Sequence, residues 1–221
     1  MPYILWDWNG TLLDDTQAAL DALNAMLAKR GGRLIDMGFY RDHFAFPVRP
    51  FYESIGIALA HEDWDALARE YHELYAARPK RLNPEAIAAL EMVRAAGVGQ
   101  SIVSALRQDL LDAATAAFGV ASFMDFVYGV DNLDGASKLD RAVALASSLT
   151  RGFAGPEPLR MTLIGDSLHD QEVAAAIGAR CVLCAQGSHA DWRLRRAAPT
   201  GATLIEAVEL ALRDDEERRR C

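Results

Sequence analysis

Short apolar runs alternate with amphipathic helical stretches along most of this chain, and one long helical stretch breaks the alternation straight after the first run. The apolar runs are Tyr3–Trp6, Gln100–Val103, Asp125–Tyr128, Met161–Ile164 and Cys181–Cys184. Each is too short for a core helix and reads as a buried strand. Asn83 caps a helix that opens at Pro84, turns Ile87, Leu90 and Val93 inward and closes at Gly97. Further helices are expected over about Asp109–Phe118, Ser137–Leu149 and Asp170–Ile177, with a last one from Leu204 to Leu212 capped by Thr203. Residues 150–158 read as a loop. Strands joined by helices predict a parallel sheet covered on both faces, the α/β doubly wound class.

The interruption covers residues 16–82. Leu20, Leu23, Met26 and Leu27 recur at helical spacing over Thr16–Arg30, and Gly31 with Gly32 ends that helix. Residues 33–60 are aromatic and irregular. A second helix follows from about Glu62, with Trp64, Leu67, Tyr71 and Leu74 on one face, and Pro79 stops it. With no clear strand in the stretch, the expected organisation is an α/β catalytic core at 1–15 and 83–221 carrying a helical cap at 16–82.

In an open α/β sheet the ligand sits at the carboxyl ends of the strands. Asp7-Trp8-Asn9-Gly10-Thr11 follows the first strand, Ser104 the second, and Gly165-Asp166-Ser167-Leu168-His169-Asp170 the fourth; Lys138 opens the helix after the third. Two carboxylate clusters, a hydroxyl, a cation and two glycine turns are the parts needed to hold a phosphoryl group beside a hard cation. A carboxylate can attack phosphorus and split one displacement into two. Magnesium on oxygen ligands, a lysine and a hydroxyl can neutralise the charge that attack creates. Gly10 and Thr11 make the turn whose backbone can approach the phosphate.

These residues resemble the four ordered motifs of the haloacid dehalogenase superfamily, and the run of elements looks most like its phosphoglycolate-phosphatase-like branch. The resemblance covers essentially the whole chain. It implies a sheet in strand order 5-4-1-2-3, with Asp7 as nucleophile and metal ligand and the backbone carbonyl of Asn9 as a second ligand. It further implies that Asp166 ligates Mg2+, that Ser104 and Lys138 hold phosphoryl oxygens, and that Asp170 supports Lys138 or the metal's water. The expected activity is hydrolysis of a small phosphorylated metabolite.

Asn9 departs from the pattern, because family phosphatases carry there an Asp that protonates the leaving group. Losing a general acid–base costs on the order of 10² to 10⁴ in rate. The substrate then has a good leaving group such as an acyl phosphate, or His43 or His169 stands in, or turnover is slow and the chain is a phospholigand-binding protein. A metal-independent 2-haloacid dehalogenase also lacks that acid and is the alternative enzyme, although Asp166 and Asp170 keep a metal site. The rigid segment Phe46-Pro47-Val48-Arg49-Pro50 is expected to overhang the cleft, with Arg49 toward an anionic part of the substrate, and Trp8 to line the cleft.

The formal charge of −8 argues against nucleic acid as a partner. The basic runs Arg193–Arg196 and Arg218–Arg220 read as a solvated helix face and a tail. No stretch approaches the roughly 18 apolar residues of a membrane helix, and the N-terminus is unlike a signal peptide, so a cytoplasmic protein without a membrane partner is expected. Cys181-Val182-Leu183-Cys184 spells C-x-x-C, but residues three apart on a strand face opposite ways, which excludes a redox or zinc pair.

Overall fold

The computed structural model describes residues 1–131, 137–152 and 158–219, and of 214–219 the backbone alone. The chain opens with β1 (Pro2–Trp6) and the two-residue β2 (Leu13–Asp14). Four helices follow, α1 (Thr16–Lys29), α2 (Met37–His43), α3 (Val48–Ser54) and α4 (Trp64–Ala76). The return strand β3 (Arg81–Leu82) leads into α5 (Ala86–Ala95), β4 (Gly99–Arg107), α6 (Gln108–Ala117) and β5 (Val127–Val130). Next come α7 (Leu139–Gly152), β6 (Arg160–Gly165), α8 (Leu168–Ala176) and β7 (Arg180–Cys184). The short α9 (Asp191–Leu194), β8 (Thr200–Gly201) and α10 (Leu204–Arg219) complete it.

Six strands form one sheet in the order β5-β4-β1-β6-β7-β8. Every neighbouring pair is parallel, which matches the expected order with β8 added at the edge. Strand alternation divides β1 between two cores. Ile4 and Trp6 join Leu90 and Val93 of α5 and Val208 of α10, while Tyr3 and Leu5 join Leu145 of α7 and Val173 of α8 on the other face. The same alternation puts Cys184 in the first core and Cys181 in the second, both as free thiols. Burial raises both thiol pKa values, that of Cys184 to about 12. Neither is poised for redox chemistry.

The helical insertion has a core of its own. Leu20, Leu23, Met26 and Leu27 of α1 pack on Tyr40, Phe51, Tyr52, Ile57 and Leu67. Its two crossings to the sheet, β2 and β3, pair antiparallel as Leu13↔Leu82 and Asp14↔Arg81. The stretch 33–60 holds two seven-residue helices, too short for periodicity to mark them. Asp36 caps the first by accepting from Phe39 N at 2.7 Å.

The helix expected from Pro84 starts two residues later. Asn83 Oδ1 accepts from Glu85 N at 3.0 Å, while its amide nitrogen donates to Thr11 O and Gln186 Oε1 at 3.1 Å each. Ile87 is 38% exposed, and Ala86 and Ala89 take the inward positions instead. Part of the loop expected at 150–158 is helical, since α7 runs to Gly152; residues 153–157 lie outside the described residues. The basic run at 193–196 is not simply solvated. Arg193 Nη1 donates to Arg41 O at 2.8 Å and Phe44 O at 3.0 Å, tying insertion to sheet, and Leu194 is fully buried. The side chains of Arg218–Arg220 lie outside the described residues. No described helix is long and apolar enough to cross a membrane.

Candidate active site

β1 lies between β4 and β6, with Trp6 beside Ile102 on one flank and Ile164 on the other. That register sets Asp7 and Asp166, the first residues past β1 and past Gly165 of β6, side by side. Ser104 belongs to β4, which runs longer than expected. Its pairing with β5 shifts between Val103 and Arg107, and there Ser104 Oγ accepts from Leu106 N at 3.1 Å. A bulge of this kind re-aims side chains toward a cleft.

Lys138 precedes α7 and is 2% exposed. Its ammonium ion-pairs with Asp7 Oδ1 and lies 2.6 Å from Asp170 Oδ1. Asp170 Oδ2 closes a capping box with Ser167 at the start of α8, accepting from Ser167 N at 3.0 Å and Ser167 Oγ at 2.7 Å. Asp166 Oδ2 accepts from Ser188 N and Ser188 Oγ at 2.5 Å, in the loop after β7. The space for these carboxylates exists because glycines flank them. A Cβ on Gly10 would stand 2.3 Å, and one on Gly187 2.1 Å, from Asp166 Oδ2; one on Gly165 would stand 2.2 Å from Asp170 Cγ.

Carboxylate oxygens of Asp7, Asp166 and Asp170 lie within 4.8 Å of one another, all three residues buried. One ammonium faces three acids, and the excess negative charge shows in their titration. Burial pushes the Asp7 carboxyl well up; Lys138 opposes this, and Asp170 and Asp166 add to it. Burial, with Asp170, raises Asp166 to about 6. Burial acts to raise Asp170 too, but Lys138 outweighs it and holds the carboxyl below its ordinary value. For Lys138 burial works downward, and the Asp170 and Asp7 carboxylates more than reverse it. An all-oxygen donor set with surplus negative charge fits a hard divalent cation.

The expected site residues do not all meet here. Asp7, Asn9, Gly10, Ser104, Lys138, Asp166, Asp170 and His169 line one cleft of ≈ 170 Å³. Thr11 lies beneath it, fully buried, its hydroxyl 3.3 Å from Asp166 Oδ1. The Gly10 N–H is taken by Asp15 Oδ1 at 2.7 Å and Leu13 O at 2.9 Å, so it is not free for a phosphate. Glycine is needed there for its φ of 75° and for the close approach of Asp166. Trp8 is fully buried in the core against Phe118, away from the cleft. Phe46 and Val48 line the cleft, but Arg49 does not; its guanidinium stacks 4.2 Å over the Trp64 ring. His43 is exposed and bonded to Phe39 O.

Two contributors were missed. Asp15 occupies the N-cap position of α1 without capping it. Its buried carboxylate instead accepts from Gly10 N, from Asn9 Nδ2 at 2.6 Å and from Tyr75 Oη of α4 at 2.5 Å. An acid at a routine cap position hides this role, though a second acid after Asp14, six residues from Asn9, was a signal. Gly187-Ser188 was reachable by applying the strand-end rule to the fifth strand as well as the fourth.

The family model for haloacid dehalogenase-like hydrolases matches residues 4–184. No curated protein matches the sequence. Among solved structures, the chain is similar to a haloacid dehalogenase-like hydrolase from Streptococcus pneumoniae (19% identity, TM-score 0.73, 94% of this chain and 97% of that one). It is similar to a predicted phosphoglycolate phosphatase from Haemophilus somnus (16%, 0.67, 94% and 96%). Protein tyrosine kinase A of Mycobacterium tuberculosis shares the fold as well (21%, 0.74, 95% and 97%). Identities this low speak for the fold alone, and a fold does not fix a function.

Proposed function

The chain belongs to the haloacid dehalogenase-like hydrolases, and from that membership we propose that it is a magnesium-dependent phosphatase acting on a small phosphorylated metabolite through Asp7. The observation that carries this reading is the buried trio Asp7, Asp166 and Asp170 with Lys138 between two of its members. A haloacid displacement needs one carboxylate and no surplus of negative charge around it. A phosphoryl transfer beside a cation accounts for all four groups.

In this reading Asp7 attacks phosphorus, the P–O bond to the leaving oxygen breaks, and water later hydrolyses the aspartyl phosphate. Asp7, Asp166 and the backbone carbonyl of Asn9 would hold magnesium, whose charge would offset that of the phosphoryl group. Lys138 and Ser104 hold phosphoryl oxygens, and Asp170 keeps Lys138 oriented. Residues 16–82 act as the cap that closes the cleft over the substrate. Asn9 cannot donate a proton as an acid does, and its amide already donates to Asp15 and to Tyr75 Oη. Substrates whose leaving group departs without protonation are therefore favoured, acyl phosphates among them.

The test is phosphate release from a monoester and an acyl phosphate, each with magnesium and with excess chelator, alongside release of chloride from 2-chloropropionate. Magnesium-dependent phosphate release supports the reading. Chloride release that ignores the chelator identifies a dehalogenase instead.

A further inference from the structure

The wall opposite the acidic trio is aromatic. Phe44, Phe46, Tyr52, Trp64, Tyr71 and Tyr75, all from the helical insertion, line the same cleft. They are in contact with one another: Phe44 meets Phe46 edge-on at 5.2 Å, Tyr52 lies 6.1 Å from Trp64, and Tyr71 stacks on Tyr75 at 6.0 Å. Leu23, Val48 and Ala68 fill between them.

Cations are scarce on this wall. Among the described residues that line the cleft, Lys138 is the only lysine or arginine, and Asp7 and Asp170 already pair with it. Arg49, the nearest candidate by sequence, is turned onto the Trp64 ring. The other basic groups are the imidazoles of His72 and His169, and the ring nitrogens of His169 are engaged by Ser137 at 3.2 Å and Glu172 at 3.3 Å. A carboxylate on the substrate would meet no guanidinium or free ammonium here, and its desolvation would go uncompensated. Size narrows the choice further. The whole cleft, phosphoryl end included, measures ≈ 170 Å³, little more than the apolar cavity of about 150 Å³ that takes benzene, so the body must be compact.

Resting on the phosphatase reading above, we infer that the substrate is a phosphate joined to an uncharged, single-ring or similarly compact apolar body, and not a phosphorylated carboxylic acid such as phosphoglycolate. The phosphoryl end lies against Asp7, Ser104 and Lys138, and the body against Tyr52, Trp64 and Tyr71.

Benzyl phosphate and 2-phosphoglycolate make a matched pair, since both leave as an O–CH2 alcohol and differ in the body alone. With magnesium present, benzyl phosphate should have a kcat/KM at least about tenfold above that of phosphoglycolate, carried by KM. Phosphoglycolate equal to or better than benzyl phosphate overturns the inference, as does a preference for phosphocholine, which would mark the rings as a cage for a cation. The phosphatase reading can fail separately, if no phosphate is released from any of the three or from an acyl phosphate. In that event calorimetry decides: benzylphosphonate should bind more tightly than phosphonoacetate, and equal or reversed affinities overturn the inference. Val48→Lys, on the wall at the half-buried first residue of α3, supplies the missing cation and should narrow the benzyl preference roughly tenfold. An unchanged ratio in a variant with wild-type circular dichroism counts against the assignment.

Discussion

The two sides of the cleft are built on different rules. On the sheet side each polar group is placed by backbone: Asp7 by the end of β1, Asp166 by the end of β6, Ser104 by the bulge in β4. Glycines at 10, 165 and 187 leave room for carboxylates and for no additional carbon. On the helical side the rings hold one another, at 4.8 to 6.5 Å and at angles from stacked to edge-on, with no strand register behind them. Backbone-placed groups tolerate almost no change, whereas packed rings tolerate exchange at conserved volume. In the proposed reading, chemistry belongs to the first side and choice of substrate to the second.

The strongest way to break this division is at Asp7. Asp7→Asn should lower kcat by at least about 10³-fold, and retention of even about a tenth of wild-type turnover would remove Asp7 as nucleophile. A single carbon should do nearly as much damage. Gly187→Ala drives Asp166 out of its place and should weaken magnesium binding, read by calorimetry, by about 10- to 100-fold. Unchanged affinity would show that Asp166 is not a ligand.

The seam between the two sides offers a sharper probe. Asn9→Asp sets a carboxyl group where an amide now lies 2.6 Å from Asp15. Two acids that close share a proton, so one stays protonated near neutral pH. For benzyl phosphate kcat should rise about tenfold, and for an acyl phosphate much less. A slower variant on esters would show that Asn9 is not a missing acid.

The smallest expected effect concerns stability, at His189. This side chain is 1% exposed, meets Phe44 edge-on at 6.0 Å across the seam, and accepts from Leu168 N at 3.0 Å. Burial, reinforced by Arg193, pushes its pKa down to about 3. Unfolded histidine titrates near 6.5, so below that pH the unfolded chain binds a proton that the fold refuses. Stability contributed by the neutral ring is complete above about pH 6.5 and falls with acidification by about 1 kcal/mol per pH unit until about pH 3. Urea unfolding at pH 7.5 and 5.5 should show this slope in wild type and a shallower one in His189→Gln. Equal slopes would refute it.

The same division explains what the sequence made legible. A parallel sheet, carboxylates at its strand ends and the place of Lys138 follow from short continuous apolar runs and the strand-end rule, whereas the strand order came from the family resemblance. The aromatic wall was visible only as composition, since seven-residue helices such as Met37–His43 carry too little periodicity to orient a ring. Arg49 was misplaced for a related reason: whether a surface guanidinium reaches a ligand or a neighbouring indole depends on how the next helix, α4, packs. Asp15 was hidden by an ordinary local explanation, the helix cap, that its side chain does not fulfil.

The antiparallel pair β2–β3 has an architectural consequence. Chain enters and leaves the helical insertion through residues paired directly across from one another, Leu13 with Leu82 and Asp14 with Arg81, so the two crossing points are about 5 Å apart. To the rest of the molecule the insertion is a hairpin loop that happens to be folded. Another helical module with the same end spacing can be spliced in after Asp15 and before Arg81, where the β2–β3 pair holds its ends. What such a graft has to recreate includes the bonds of Arg41 to the carbonyls of Gln186 and Gly187, of Arg193 to the carbonyls of Arg41 and Phe44, and of Trp192 to Asp42, with a hydroxyl in the place of Tyr75 to meet Asp15. If the rings choose the substrate as proposed, recombination at these two points makes the sheet a reusable chassis and its selectivity an interchangeable part.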